Sequence, residues 1–156
     1  MDSGPRSPAR RVGGIDFGTV RIGIAVSDAD RTIASPLESY TRRTPELDAR
    51  RFEQLAIEER IGLWVVGLPV HLDGRESQKS TEARRFGAWL AEVTGVPVKF
   101  FDERFTSVEA EELLLHANFT RKGRKKRIDM LAAQIMLTAF LEAPDSDEPP
   151  KGLEDK

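Results

Sequence analysis

Cysteine is absent from the 156-residue chain. That excludes disulfides and thiolate metal sites, and it agrees with a reducing compartment. Histidine is scarce: His71 and His116 are the only two, 45 positions apart in sequence. His116 falls near the end of an expected helix, where a surface position suffices to explain it. His71 falls in a loop, as a substrate contact or simply as a loop residue. No apolar run approaches the ~18 residues of a membrane span, and the N-terminus lacks the apolar core of a signal peptide. The cytoplasm is the default expectation, with no membrane partner. Neither a Gly-x-Gly-x-x-Gly motif nor a phosphate-loop lysine is present. Aromatic residues make up only 7% of the chain.

What is present describes a charged globular chain, 39% apolar and 32% charged, of a length that suits one domain. The net charge of −2 hides an uneven distribution. Residues 144–156 carry five acids and two lysines, whereas Arg121, Lys122, Arg124, Lys125, Lys126 and Arg127 place six cations in seven positions. A dense basic segment in a near-neutral chain fits a polyanionic partner. With Phe119 the nearest aromatic to it, a base-stacking platform for single strands is not indicated. Contacts to the phosphate backbone are the better expectation, the bland reading being a solvated loop.

Residues 1–10, with Gly4, Pro5, Ser7 and Pro8, read as a flexible leader. Strands are expected at 12–16, 22–27 and 33–40, with Pro36 arguing for an edge position and Gly13-Gly14 weakening the first. Thr44-Pro45 opens a helix over 45–60. The apolar run 63–68 reads as a strand buried on both faces. A helix over 77–93 presents Ala83, Phe86, Leu90 and Val93 on one stripe and stops at Gly95. A fifth strand covers 96–101. The capping-box spacing of Thr106 and Glu109 opens a helix to about residue 117. The basic run then reads as a loop, because nearly every position is charged and Gly123 interrupts it. A last helix over 128–143 has Ile128, Leu131, Ala132, Ile135 and Ala139 inward and Asp129 in its first turn. The acidic, proline-bearing end, 144–156, reads as a disordered tail. Antiparallel strands followed by strands alternating with helices predict a single α/β domain over 11–143, a mixed sheet covered by helices.

Three acids occupy unexpected places: Asp16 and Glu103 at strand C-termini, and Asp129 beside an apolar helical stripe. Ligands of such sheets tend to bind beyond strand ends. Three converging carboxylates would repel by about 4 kcal/mol per pair at ~4 Å with an effective dielectric near ~20, which protonation or a cation must relieve. Oxygen-only ligands favour Mg²⁺ or Mn²⁺, one or two ions, over zinc. Taken singly, each acid has a simpler explanation. Asp129 can complement a helix N-terminus, Glu103 can pair with Arg104, and Asp16 can be a turn residue.

Four motifs in order narrow these alternatives. Asp16-Phe17-Gly18-Thr19 with Arg21-Ile22-Gly23, Gly67-Leu68-Pro69 with Asp73-Gly74, Asp102-Glu103-Arg104, and Lys125-Lys126-Arg127-Ile128-Asp129 with Ala132-Ala133 resemble the YqgF (RuvX) family. The resemblance runs over about residues 12–141. Gly13, where that family usually has a bulky apolar residue, and His71, often asparagine there, depart from it. It implies an RNase H-like fold: a mixed five-stranded sheet, antiparallel in its first three strands and then parallel, flanked by helices. It implies a metal-dependent nuclease that trims the 5′ end of precursor 16S rRNA in bacterial cytoplasm. Asp16, Glu103 and Asp129 match the family's acidic metal-binding triad. Arg21 and Arg104 join residues 121–127 as candidate nucleic-acid contacts, Arg104 either orienting a carboxylate or meeting phosphate. Three other readings stay open. A Holliday-junction-resolving endonuclease would act on branched DNA, favouring a homodimer over a monomer. A non-catalytic RNA-binding assembly factor would keep the fold without turnover. ATP-dependent phosphotransfer is suggested by Asp-x-Gly-Thr, but it needs two related domains, and this chain has room for one.

Overall fold

The computed structural model describes residues 10–69, 73, 75–105 and 121–143. The helix expected over 106–117, both histidines, the leader apart from residue 10, and the tail lie outside the described residues.

Five strands form one sheet: β1 (Arg11–Asp16), β2 (Arg21–Ser27), β3 (Ala34–Thr41), β4 (Ile61–Leu68) and β5 (Val98–Asp102), in the order β3-β2-β1-β4-β5. β1–β2 and β2–β3 pair antiparallel, β1–β4 and β4–β5 parallel, as expected. β3 is an edge strand, where Pro36 lacks a donor at little cost. β1 and β4 are central, so both of their faces are covered.

Among the described residues, three helices provide that cover. α1 (Pro45–Glu58) is capped by Thr44, whose side chain accepts from the Leu47 amide, with Pro45 leading. α2 (Gln78–Thr94) starts at a Ser77–Ser80 capping box and ends on Gly95 in the left-handed region at φ 71°. Phe52 and Leu55 of α1 and Phe86 and Leu90 of α2 pack with Ile15, Ile24, Trp64 and Val66 on one face of the sheet. The helix here named α3 (Arg121–Glu142) covers the other face, its Ala133, Met136, Leu137 and Phe140 meeting Val12, Ala25, Val65 and Phe101. The result is helices, sheet, helix in three layers.

Gly13-Gly14, the weak point of β1, has a packing explanation. A Cβ on Gly13 would lie 2.5 Å from the Trp64 ring, and one on Gly14 would lie 2.9 Å from Cβ of Leu137. The glycines let a large ring and a helix close on opposite faces of the central strand.

Two expectations are corrected. The basic run is not a loop: α3 begins at Arg121, two turns before the apolar stripe. Lysine and arginine are good helix formers, and Gly123 costs only about 1 kcal/mol against alanine, so the packed segment beyond propagates the helix backwards. The inward face is also displaced by one position. Ala133, Met136, Leu137 and Phe140 are buried, whereas Ile128, Leu131, Ala132, Ile135 and Ala139 are only half-buried. Asp129, four residues before Ala133, therefore continues the stripe that faces the sheet. It lies beyond the first turn, where the helix dipole acts.

Candidate active site

Strand parity decides which side chains can meet. Asp16 pairs with Gly23 across β1–β2, and Gly23 pairs with Ser39 across β2–β3. Directly opposed residues share a face, as do residues two apart along a strand. Asp16, Arg21, Gly23 and Ser39 therefore all stand on the α3 face, at the C-terminal end of β1. Gly23 allows α3 to approach: a Cβ there would lie 2.0 Å from the Asp129 carbonyl oxygen. That contact brings Asp129 to the same end of the sheet as Asp16.

The Asp129 carboxylate accepts a 2.7 Å bond from Nε of Arg21 and a 3.2 Å bond from the Ser39 hydroxyl. Both partners of the ion pair are only partly exposed, at 29% for Arg21 and 22% for Asp129. Asp16 receives no hydrogen bond among the described residues. Burial, followed by repulsion from Asp129, pushes its carboxyl up to about 6.

Glu103 enters from the third strand involved. β5 ends at Asp102, and Glu103 opens a single 3-10 turn, Glu103–Phe105. Its carboxylate lies over Gly67 at the end of β4, where a Cβ would come within 2.4 Å of Oε2. The residues on either side hold that turn. Asp102 is buried and accepts from the Arg104 amide at 2.9 Å and from Arg104 Nε at 2.8 and 2.9 Å, with Nη2 closing the pair. The Arg104 side chain is 6% exposed. Arg104 is thus folded onto the Asp102 carboxylate.

Asp16 and Glu103 line one cleft of about 370 Å³ with Phe17, Gly67, Lys79 and Glu82. Asp129 does not line it, and among the described residues no three Asp, Glu or His side chains are grouped to hold a metal ion. Asp16 and Glu103 thus line the same cleft, while Asp129 repels Asp16 and is engaged by Arg21 and Ser39. The donor chemistry still suits a hard divalent cation. Every candidate ligand is a carboxylate oxygen, and the buried charge on Asp16 is the kind that a cation relieves. Of the candidate nucleic-acid contacts, Arg21 is engaged with Asp129 and Arg127 is exposed. Arg121, Lys122, Arg124, Lys125 and Lys126 lie in the two turns of α3 that precede them.

Sequence reasoning missed Ser39, Lys79 and Glu82. Ser39 could have been found only from the β2–β3 register, which the bulge between Ile24 and Ala25 shifts. Lys79 and Glu82 lie in the first turns of α2, next to the cap, and carried no local signal.

A family model described as "RuvX: Holliday junction resolvase" matches residues 10–143. A Rhodopirellula baltica protein named "Putative pre-16S rRNA nuclease" is 54% identical over 133 residues, 85% of this chain and 77% of its own length. A protein of the same name from Koribacter versatilis is 39% identical over 147 residues, 93% of this chain and 96% of its own. Thermus thermophilus RuvC, solved in complex with a Holliday junction substrate, has a TM-score of 0.55 at 16% identity over 90% of this chain and 99% of its own. That likeness is one of fold, and it agrees with the RNase H-like sheet described above. With the match spanning both sheet faces and all three acids, the chain belongs to the RuvX family of nucleases.

Proposed function

We propose that the protein is a divalent-metal-dependent endonuclease that trims the 5′ end of precursor 16S rRNA in the bacterial cytoplasm. The observation that carries this reading is the Asp16 carboxyl, buried, pushed up to about 6, facing Asp129 and sharing a cleft with Glu103. A buried carboxylate that receives no hydrogen bond among the described residues, at the end of a central strand, costs stability and needs a chemical reason. The names of the two relatives supply the substrate.

In this reading Asp16, Glu103 and Asp129 would hold Mg²⁺ or Mn²⁺. The bound ion supplies Lewis-acid charge that activates water and steadies the leaving oxygen of a phosphodiester. The protein's own residues do the positioning. The Asp102–Arg104 pair fixes the turn that carries Glu103. Gly67 leaves room for that carboxylate, and Gly23 seats α3 so that Asp129 faces Asp16. Arg21 offers a guanidinium fork matched to phosphate oxygens. The cations of residues 121–127 add sequence-independent attraction for a polyanion.

The test is cleavage of end-labelled, 5′-extended 16S precursor RNA with Mg²⁺ or Mn²⁺, by wild type and Asp16→Asn. Cutting by wild type alone supports the reading, and undiminished divalent-dependent cutting by the variant removes it. The family's description as a resolvase favours a second reading, cleavage of branched DNA by a two-fold dimer. A four-way junction in the same assay, with the oligomeric state measured alongside, separates the two. Salt-sensitive RNA binding without cutting of either substrate would favour a non-catalytic assembly factor.

A further inference from the structure

The outer edge of the sheet carries a basic groove that the acidic site does not use. It lies between β3 and α1, has a volume of about 450 Å³, and is lined by Ser39, Thr41, Arg43, Arg50 and Arg51 among others. Its charge is sorted. Arg51 is paired with Glu38, donating to it through Nε at 3.1 Å and through Nη2. Arg43 and Arg50 are exposed and form no salt bridge among the described residues. The exposed acids of α1, Glu46 and Glu53, do not line the groove.

The groove is built on a buried anchor. Asp48, 2% exposed, accepts from the Tyr40 hydroxyl at 2.6 Å and from the Arg43 amide at 2.9 Å, and Arg42 Nε lies 3.6 Å from its other oxygen. A buried carboxylate satisfied in this way fixes the β3–α1 corner and neutralises Arg42, leaving Arg43 as the outward cation. Two contacts join the corner to the acidic site. Ser39 lines the groove and donates to Asp129, and the Arg42 guanidinium lies 5.3 Å over the ring of Phe17, the residue after Asp16. The far side of β3 is a sheet edge, and among the described residues no strand covers the groove from outside.

From this geometry we infer that the β3–α1 groove is a phosphate track, in which Arg43 and Arg50 bind the backbone of the RNA strand running out of the cleavage site. The inference rests on the nuclease reading and deepens it. Two guanidinium groups without carboxylate partners, on a rigid corner contiguous with the site, fit phosphate oxygens through bidentate bonds. The track reads no bases; it sets the direction and the minimum length of strand that the enzyme holds.

The test uses the full chain in chelator, so that nothing is cut, with a fluorescein-labelled RNA hairpin bearing a 5′ single-stranded extension. Arg43→Gln with Arg50→Gln is compared with Arg31→Gln with Arg60→Gln, which removes the same charge at the opposite end of the sheet. We expect the first pair to weaken binding by roughly tenfold, and to lower the slope of log affinity against log salt by about 1.5 to 2. The control pair should change both little, and shortening the extension should abolish the difference between the pairs. Equal losses in both pairs, or a difference that survives the shortening, would overturn the track while wild-type cleavage leaves the nuclease reading standing. Failure of wild type to bind or cut the RNA at all would overturn both.

Discussion

Replacing Asp16 by asparagine should destroy cleavage and stabilise the protein. The Asp16 carboxyl is raised from 3.8 to about 6 by burial and by Asp129. A shift of about 2 units corresponds to roughly 3 kcal/mol of penalty on the charged form. The sign follows from proton counting. Between about pH 4 and pH 6 the folded state holds a proton on Asp16 that the unfolded state has released, so wild-type stability falls as pH rises through this window. Below the unfolded value both states are protonated and the penalty vanishes. Above about 6 the penalty is fully developed and constant.

Asparagine keeps the shape and removes the charge. In chelator at pH 7.5, Asp16→Asn should be more stable than wild type by up to about 3 kcal/mol, which for a chain of this length is roughly 6–12 °C in Tm. At pH 4, just above the unfolded value, the gap should shrink to about 0.5 kcal/mol, or roughly 1–2 °C. Urea or thermal denaturation by circular dichroism across pH 4–8 measures both. Adding Mg²⁺ at pH 7.5 should narrow the gap by stabilising wild type alone. A stability difference that is the same at pH 4 and pH 7.5 would refute the reasoning, because it would show that Asp16 carries no penalised charge.

Four further outcomes follow from named contacts. Gly67→Ala presses on the flexible end of Glu103, so stability should change by less than about 1 kcal/mol while cleavage falls at least tenfold. Gly23→Ala meets the backbone of α3 and should cost about 3 kcal/mol or more, both read by denaturation beside activity. Arg21→Gln removes a part-buried charged hydrogen bond and leaves Asp129 facing Asp16 uncompensated. It should cost about 1–2 kcal/mol in chelator, and Mg²⁺ should restore more stability to it than to wild type in a paired titration. Asp48→Asn leaves the Tyr40 hydroxyl and the Arg43 amide with a weaker acceptor and Arg42 without its counter-charge. A loss of about 2–4 kcal/mol is expected, measured by urea unfolding.

The parts of this molecule legible in the sequence are those with a local cause. Period and punctuation located β1 to β5, α1 and α2, because Thr44-Pro45, Ser77 and Gly95 act on their own neighbours. Pro36 marked the edge for the same reason. The start of α3 was missed because a charged, glycine-bearing segment is a poor helix judged alone, and its helicity comes from the packing of Ala133 and Leu137 further along. The displaced face of α3 has the same origin. A run such as Leu131-Ala132-Ala133 contains apolar residues on adjacent positions, and only the sheet decides which of them turn inward. The buried Asp48 was invisible because its partners, Tyr40 and Arg43, become donors only once the β3–α1 corner closes.

The site shows the same division between local and distant causes. Asp16 and Glu103 could be placed at strand ends from pattern alone. The partners of Asp129 lie 108 residues away at Arg21 and 90 away at Ser39, so no local signal connects them. Those partners also account for the one feature of the triad that the family resemblance did not anticipate. Neighbouring carboxylates at one end of a sheet repel one another, and a protein can lower that energy by protonating one acid or giving another a counter-ion. It does both. Arg21 takes the Asp129 carboxylate, while the Asp16 carboxyl retains its proton up to about 6. Burial is the larger cause of the raised Asp16 pKa and repulsion from Asp129 the second, while Arg21 supplies the counter-charge of Asp129.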